Sequence, residues 1–319
     1  MQPFGQAIGA GLGLLFLKHG RDAERQADQL AVQYAGGSNY DVRETIDVFE
    51  SLSRTGGDER SALPAWLSTH PAPAERIEAL RQYIATPGVR SGSIVDRAEF
   101  LHEIDGLIYG NNPRQGLFRD QVFYHPDLRF RFSLPAGWQG NNLTHAVEGI
   151  SPGRDAAMVL TLSPAPGPAA AARQLAAQQN VRMLQSSDER VNGLSSVWSL
   201  FDAATEGGVV RGIAAHIALG GRVYELIGYA PVDRFGANGP AIERALKSFA
   251  PLTDRAMLSI QPRRIDIVTL RRAMTVAEFA REYGSPIPIE ELALINQVEG
   301  ANAVLAAGSQ AKRVVGPRQ

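Results

Sequence analysis

Apolar and small side chains at Ala23, Ala27, Leu30, Ala31 and Tyr34 step as i, i+4, i+7, i+8 and i+11, which predicts a helix with one buried stripe. Gly36-Gly37-Ser38-Asn39 marks its stop, and Asp41 is placed to cap a second helix carrying Val42, Thr45, Ile46, Phe49 and Leu52 on one side. Thr55 to about Pro64 reads as a loop. Pro73-Ala74-Glu75-Arg76 then opens a third helix with Ile77, Leu80 and Ile84 as its core face. Thr86 to Ser93 is a linker, and a short helix from about Asp96 to Tyr109 ends this helical stretch at Gly110-Asn111-Asn112-Pro113.

From about residue 116 the pattern changes to strands. Gln121–Tyr124, Leu128–Phe132 and Ala157–Leu162 alternate or run apolar, and Pro135-Ala136-Gly137-Trp138 is a turn. The Ala-rich segment 169–184 predicts a helix, followed by strands near 190–201, 208–219 and 222–229, the last two joined at Gly220-Gly221. Ala241–Phe249 closes the unit as a helix, with Trp138 and Trp198 as core candidates. The order predicts an antiparallel α+β sandwich, loosely similar to PsbP-type or Mog-type folds. A third region reads strand–helix–helix–strand. Arg264–Val268 and Ala311–Val315 are its strands, Thr275 and Glu278 form a capping box, and Ile289–Ile295 is its second helix. That order resembles a LysM-like module, with Arg272-Ala273-Met274-Thr275 in place of the usual Gly-Asp-Thr opening. The chain is therefore read as multidomain α+β, divided at 1–112, 116–253 and 256–316.

Composition adds limits. A chain of 319 residues with 44% hydrophobic content can build several cores, while a net charge of -1 gives no case for nucleic acid as a partner. The absence of cysteine excludes disulfides and thiolate metal sites. Met1 to Leu17 is apolar and Gly-rich, but lacks the leading positive charge and the cleavage site of a secretory signal. It is expected to lead into the first helix, in contact with a membrane, as an internal piece of a longer protein.

The chemistry concentrates in the first helix. Arg21, Glu24 and Asp28 lie three and four residues apart, so their side chains share a face, with Cβ atoms roughly 5–6 Å apart. Taken alone, such a pair of carboxylates is the ordinary solvated face of an amphipathic helix. Taken in order, R-x-x-E-x-x-A-D at 21–28, Asn39-Tyr40-Asp41, Ser68-Thr69-His70-Pro71 and Arg76-Ile77 resemble the HExxH zinc metallopeptidases of the HtpX and prenyl-protease superfamily. The resemblance is to its periplasmic, beta-barrel-assembly-enhancing members in particular.

The resemblance implies that Glu24 is the third zinc ligand and Asp28 a carboxylate supporting the ligand shell. It implies that His70 can cap the metal and that Arg76 belongs to the same site. It also implies a periplasmic or membrane-associated protease acting on misfolded envelope proteins, with peptidoglycan or an outer-membrane assembly partner as further contacts. The HExxH helix itself is missing from the sequence. Of the six histidines only His102-Glu103 begins correctly, and Ile104-Asp105-Gly106 follows without a second histidine. Catalytic zinc takes three protein ligands and a water. The expectation is therefore the back portion of a metalloendopeptidase, with the HExxH helix upstream of Met1 and no proteolysis by this chain alone. The alternative, from a different class, is a non-catalytic envelope scaffold that uses its two later domains to bind a partner or cell-wall glycan.

Overall fold

The computed structural model describes residues 21–54 and 73–317, with side chains from 25 and 74 onward in the two stretches. Two compact units emerge. One is formed by residues 111–262. The other joins the helical part up to Gly110 with the last part from Arg263.

In the helical part of the second unit the described helices are α1 (Arg21–Gly37), α2 (Glu44–Arg54), α3 (Pro73–Ile84) and α4 (Arg97–Ile104). Val32, Val42, Phe49 and Leu80 form the core between α1, α2 and α3, with Leu52, Ile77, Tyr83 and Ile84 packed around it. The face that α1 buries is not the apolar one the spacing predicts. Asp28 and Val32 are buried, whereas Leu30 is 37% and Tyr34 71% exposed. A carboxylate can take that place because α3 supplies its counter-ion, as described below. Ala23 lies outside the described side chains.

Glycines explain how the chain crosses the end of α1. A Cβ on Gly36 would stand 2.1 Å from the carbonyl oxygen of Arg90, and one on Gly92 would stand 2.0 Å from the Asn39 carbonyl. Backbone meets backbone at both points, and Gly92 N–H donates to Tyr40 O at 2.8 Å. Helix α4 is shorter than its pattern suggests. Asp96 caps it, Ile104 ends it, and Gly106 at φ +76° turns the chain. Leu107 to Tyr109 then run beside residues 263–265, with Ile265 N–H donating to Leu107 O and Tyr109 N–H donating to Arg263 O, both at 2.8 Å.

Residues 111–262 build two antiparallel sheets. The strands are β1 (Leu117–Arg119), β2 (Val122–His125), β3 (Phe130–Ser133), β4 (Gln139–Asn142), β5 (Val147–Ile150) and β6 (Ala157–Ser163). After α5 (Pro168–Ala176) come β7 (Val181–Val191), β8 (Leu194–Thr205), β9 (Gly208–Leu219) and β10 (Arg222–Pro231). Helix α6 (Val232–Lys247), β11 (Ala250–Pro251) and α7 (Arg255–Leu258) complete the unit. The small sheet runs β1-β2-β3-β11, and the large one runs β4-β5-β6-β10-β9-β8-β7.

The predicted helix over 169–184 stops at Ala176, and Val181 onward is strand. The run from Val181 pairs with β8 along its length, and that cross-strand pairing outweighs the helix propensity of the residues around 181–184. The closing helix starts earlier than the apolar pattern indicates, at Val232, and holds Pro240 within it. Trp138, Trp198, Phe130, Phe249 and Tyr224 belong to the main core, as the sequence anticipates for the two tryptophans.

The tail has β12 (Arg264–Thr269), β13 (Met274–Thr275), α8 (Val276–Tyr283), α9 (Ile289–Ile295), β14 (Val304–Leu305) and β15 (Gln310–Val315). Strand β12 pairs with β15, and the short β13 with β14. The Thr275–Glu278 capping box is formed in both directions. Buried Asn296 donates to Leu292 O and Lys312 O and accepts from Lys312 N–H, all at 2.8–2.9 Å, so it ties the end of α9 to β15. Tyr109 packs on this tail core and donates its hydroxyl to Glu291 at 2.5 Å. Burial and that carboxylate together push its phenol well above the ordinary range.

Candidate functional site

The motif residues of the first 84 positions divide between described and undescribed parts. Asp28 and Arg76 are described. The side chain of Glu24 and the whole of His70 lie outside the described residues.

Helix α1 positions Asp28 four residues beyond Glu24, and the first turn of α3 positions Arg76 opposite it. Arg76 donates from Nε to Asp28 Oδ2 at 2.9 Å and from Nη2 to Oδ1 at 2.5 Å, a bidentate pairing. The two side chains are only 16% and 12% exposed, so this is a largely desolvated ion pair. The Arg76 guanidinium also stands 4.4 Å from the centre of the Phe49 ring, which brings α2 into the same cluster. A second ion pair, Arg25 to Glu75 at 2.7 Å, and the Gln33–Tyr83 hydrogen bond at 2.7 Å run alongside between α1 and α3. Three helices are thus locked around one carboxylate.

Asp41, from the Asn39-Tyr40-Asp41 segment, is also buried. It accepts from the Arg43 backbone N–H at 3.0 Å and side-chain Nε at 2.8 Å, and Ser91 Oγ donates to it at 3.3 Å. The Arg43 hydrogen bonds hold its carboxyl well below the usual carboxylate range. Its role is to turn the chain between α1 and α2, as its position before the second helix suggests.

These donors do not make a zinc site by themselves. Among the described residues no three His, Asp or Glu side chains are grouped so as to hold a metal ion. Asp28, the carboxylate one turn from Glu24, has both oxygens engaged by Arg76. What the arrangement does is fix the register of α1 against α3, and hence the place of position 24 on the helix. No helix among the described residues is long and apolar enough to cross a membrane.

The sequence gives no sign of one polar pair in the sandwich. His216 on β9 is fully buried and its Nε2 lies 2.8 Å from Glu225 Oε2 on β10, its direct cross-strand neighbour. Only the register brings together these two residues, which stand nine positions apart in sequence. Asp202 on β8 is likewise bridged by Arg182 at 2.8 Å and Arg211 at 2.7 Å, its neighbours on β7 and β9.

Comparison with solved structures returns low-scoring likenesses. Cyanobacterial PsbP (CyanoP) from Synechocystis is 12% identical, over 43% of this chain and 95% of that one, with a TM-score of 0.35. The Ran-binding protein Mog1p of Saccharomyces cerevisiae is 10% identical, over 47% and 99%, with a TM-score of 0.31. LpqN of Mycobacterium tuberculosis, involved in cell envelope biogenesis, is 12% identical, over 50% and 98%, with a TM-score of 0.32. Scores this low carry no argument about fold or function. No curated protein sequence matches the chain. Residues 4–84 match the model of peptidase family M48, and that match supports a metallopeptidase-family origin for the helical part of this chain.

Proposed function

We propose that this chain is the back portion of a zinc-dependent endopeptidase of the bacterial cell envelope, in which Glu24 is the third metal ligand. The observation that carries the reading is the coincidence of two facts. The family M48 match spans residues 4–84, and within it Asp28 is clamped by Arg76 at the point where α1, α2 and α3 meet. A solvated carboxylate on an amphipathic helix needs no such clamp. A helix that must present a ligand at a fixed place does, because a metal site tolerates displacements of only a few tenths of an ångström.

In this reading Asp28 and Arg76 are positioning residues for Glu24, and His70 is the capping ligand that the family pattern implies. Zinc, when held, supplies a polarised water as nucleophile. The chain's own contribution is to orient one ligand. The first ligands and the general-base glutamate would come from an HExxH helix outside this sequence, so the chain alone is expected to be inactive. Its substrates would be misfolded envelope proteins.

The test is direct. The longer protein that includes the upstream reading frame should bind zinc stoichiometrically by elemental analysis and cleave casein. Both should fall by at least about 100-fold on Glu24→Gln, since outer-shell changes alone cost 10–100-fold. An upstream frame without HExxH, or full zinc occupancy in Glu24→Gln, refutes the reading. A second reading is a non-catalytic envelope scaffold, favoured by the extent of well-packed structure beyond residue 110. Retention on peptidoglycan by this chain, with no zinc bound, would favour it.

A further inference from the structure

Strand β7 is an edge of the large sheet. Among the described residues it pairs with β8 alone, yet it runs 11 residues, Val181–Val191, without a lysine or a proline. Sheets commonly blunt their edges with such residues, with short strands or with bulges, because unpaired N–H and C=O groups recruit a further strand. Here a bulge between Met183 and Gln185 interrupts the pairing, and Gln185 to Val191 continue in regular register to the turn.

The hairpin sets the phase of that open edge. Asn192 and Gly193, at φ +50° and +83°, form a two-residue turn closed by Val191 opposite Leu194. The closing pair of such a turn exchanges both backbone hydrogen bonds, and antiparallel pairs beyond it alternate between bonded and non-bonded. Val191, Glu189 and Ser187 therefore turn their backbone groups toward β8. Ser196 Oγ of β8 donates to the Glu189 carbonyl at 2.6 Å, as that phase requires. Arg190, Asp188 and Ser186 turn theirs away from β8, to the open edge.

The same three residues share a side-chain face, because side chains alternate along a strand. Two of them carry opposite charges. The Asp188 carboxylate takes part in no hydrogen bond or ion pair among the described residues, and Arg190 uses one nitrogen to donate to Gly193 O at 3.0 Å. Both border a groove of about 650 Å³ whose lining includes Pro168 and Arg173 of α5, which leaves room for side chains of an added strand. Every pair in this sheet is antiparallel. In an antiparallel addition, an acidic residue stands opposite Arg190 and, two positions later, a basic one stands opposite Asp188. Opposite charges in directly facing pairs are favourable and like charges unfavourable. We propose that β7 is a docking edge for an extended segment of another polypeptide that carries an acidic-x-basic pattern and pairs antiparallel with Ser186, Asp188 and Arg190. Backbone groups give such an addition its affinity and alternate side chains its specificity. Strand β7 contains the pattern itself, but a second copy fits poorly. The twofold that sets Asp188 against Arg190 also sets Glu189 against Glu189, and it runs into the turn just beyond Val191.

The experiment is an NMR titration with amide hydrogen exchange of the full chain. The probe is the peptide acetyl-VTEVKTV-amide, and acetyl-VTKVETV-amide is its charge-exchanged control. Before peptide is added, the Ser187 and Glu189 amides should be protected and the Ser186, Asp188 and Arg190 amides should exchange fast. The probe should bind in the low-millimolar range and slow those three amides at least about 3-fold, and the control should bind at least about 5-fold more weakly. Exchanging the charges on the protein, Asp188→Arg with Arg190→Asp, should reverse the preference. Unchanged exchange of the three amides up to about 10 mM probe would overturn the proposal. So would equal binding of the two peptides, or a preference that the exchanged variant leaves as it was. Protection of this edge that rises with protein concentration, with no peptide present, would overturn it in favour of a second copy. None of these outcomes depends on zinc or on proteolysis.

Discussion

Replacing Asp28 by Asn keeps the shape of the α1–α3 contact and removes its charge. The pair is bidentate, at 2.9 and 2.5 Å, and its side chains are 12% and 16% exposed. Breaking a fully buried ion pair by removing one partner costs roughly 3–5 kcal/mol, whereas an exposed pair contributes roughly 0–1 kcal/mol. The remaining exposure places this pair below the upper figure, at about 2–4 kcal/mol. Most of that is the loss of the bidentate charge pairing to Asp28, since the cation–π contact over Phe49 by itself contributes roughly 0.5–2 kcal/mol. A double replacement, Asp28→Asn with Arg76→Met, removes both halves of the pair and should cost less than the sum of the singles by at least about 1 kcal/mol.

Because the chain folds as two compact units, a single melting curve would mix their transitions. Native-state hydrogen exchange of amides in α1 and α3, compared with amides in β8–β10 as an internal reference, isolates the effect. The expected result is a loss of protection in α1 and α3 matching about 2–4 kcal/mol, with the sheet amides unchanged. A loss under about 1 kcal/mol, or a double replacement that costs the full sum, would refute the claim that this pair fixes α1.

Three further outcomes follow from other parts of the structure. Because Tyr109 N–H donates to Arg263 O at 2.8 Å, a variant that joins Gly110 to Arg263 through two glycines and omits 111–262 should stay folded, with the 107–109 and 263–265 amides still protected in hydrogen exchange. Arg211 and Arg182 lower the Asp202 carboxyl from 3.8 to about 2. A depressed carboxyl contributes stability that is present above its unfolded value and lost as pH falls through the folded one. The sandwich should therefore lose about 1–2 kcal/mol between pH 4 and pH 2, a figure trimmed because Arg182 is 75% exposed, and Asp202→Asn should flatten that part of an acid-unfolding series. Gly92→Ala places a methyl 2.0 Å from the Asn39 carbonyl and should destabilise the helical part by about 1–3 kcal/mol or more by denaturant unfolding of the excised variant.

The local signals in the chain proved dependable where one interaction range decides the outcome. The Thr275–Glu278 capping box, the Gly220-Gly221 hairpin and the stop after α1 are written in adjacent residues, and each occurs where the pattern places it. Long-range pairing decides the rest. Segment 177–184 carries helix formers, but Val181 onward joins β8, and no local rule foresees that partner. Leu107 to Tyr109 look like the end of a helix and instead run beside residues more than 150 positions away, which unites the helical part with the tail.

The same division runs through the site. The amino-acid sequence by itself determined which residue types stand at 21–28, 39–41, 68–71 and 76, and with them the family resemblance that the M48 match supports. Spacing alone put Ala27, Leu30, Ala31 and Tyr34 inward and left Asp28 at the edge. Only the tertiary structure turned α1 so that Asp28 and Val32 face the core. The physical reason is that periodicity measures hydrophobicity, whereas burial of a carboxylate depends on a cation delivered from another helix. Arg76 is that cation, and no pattern within α1 contains it.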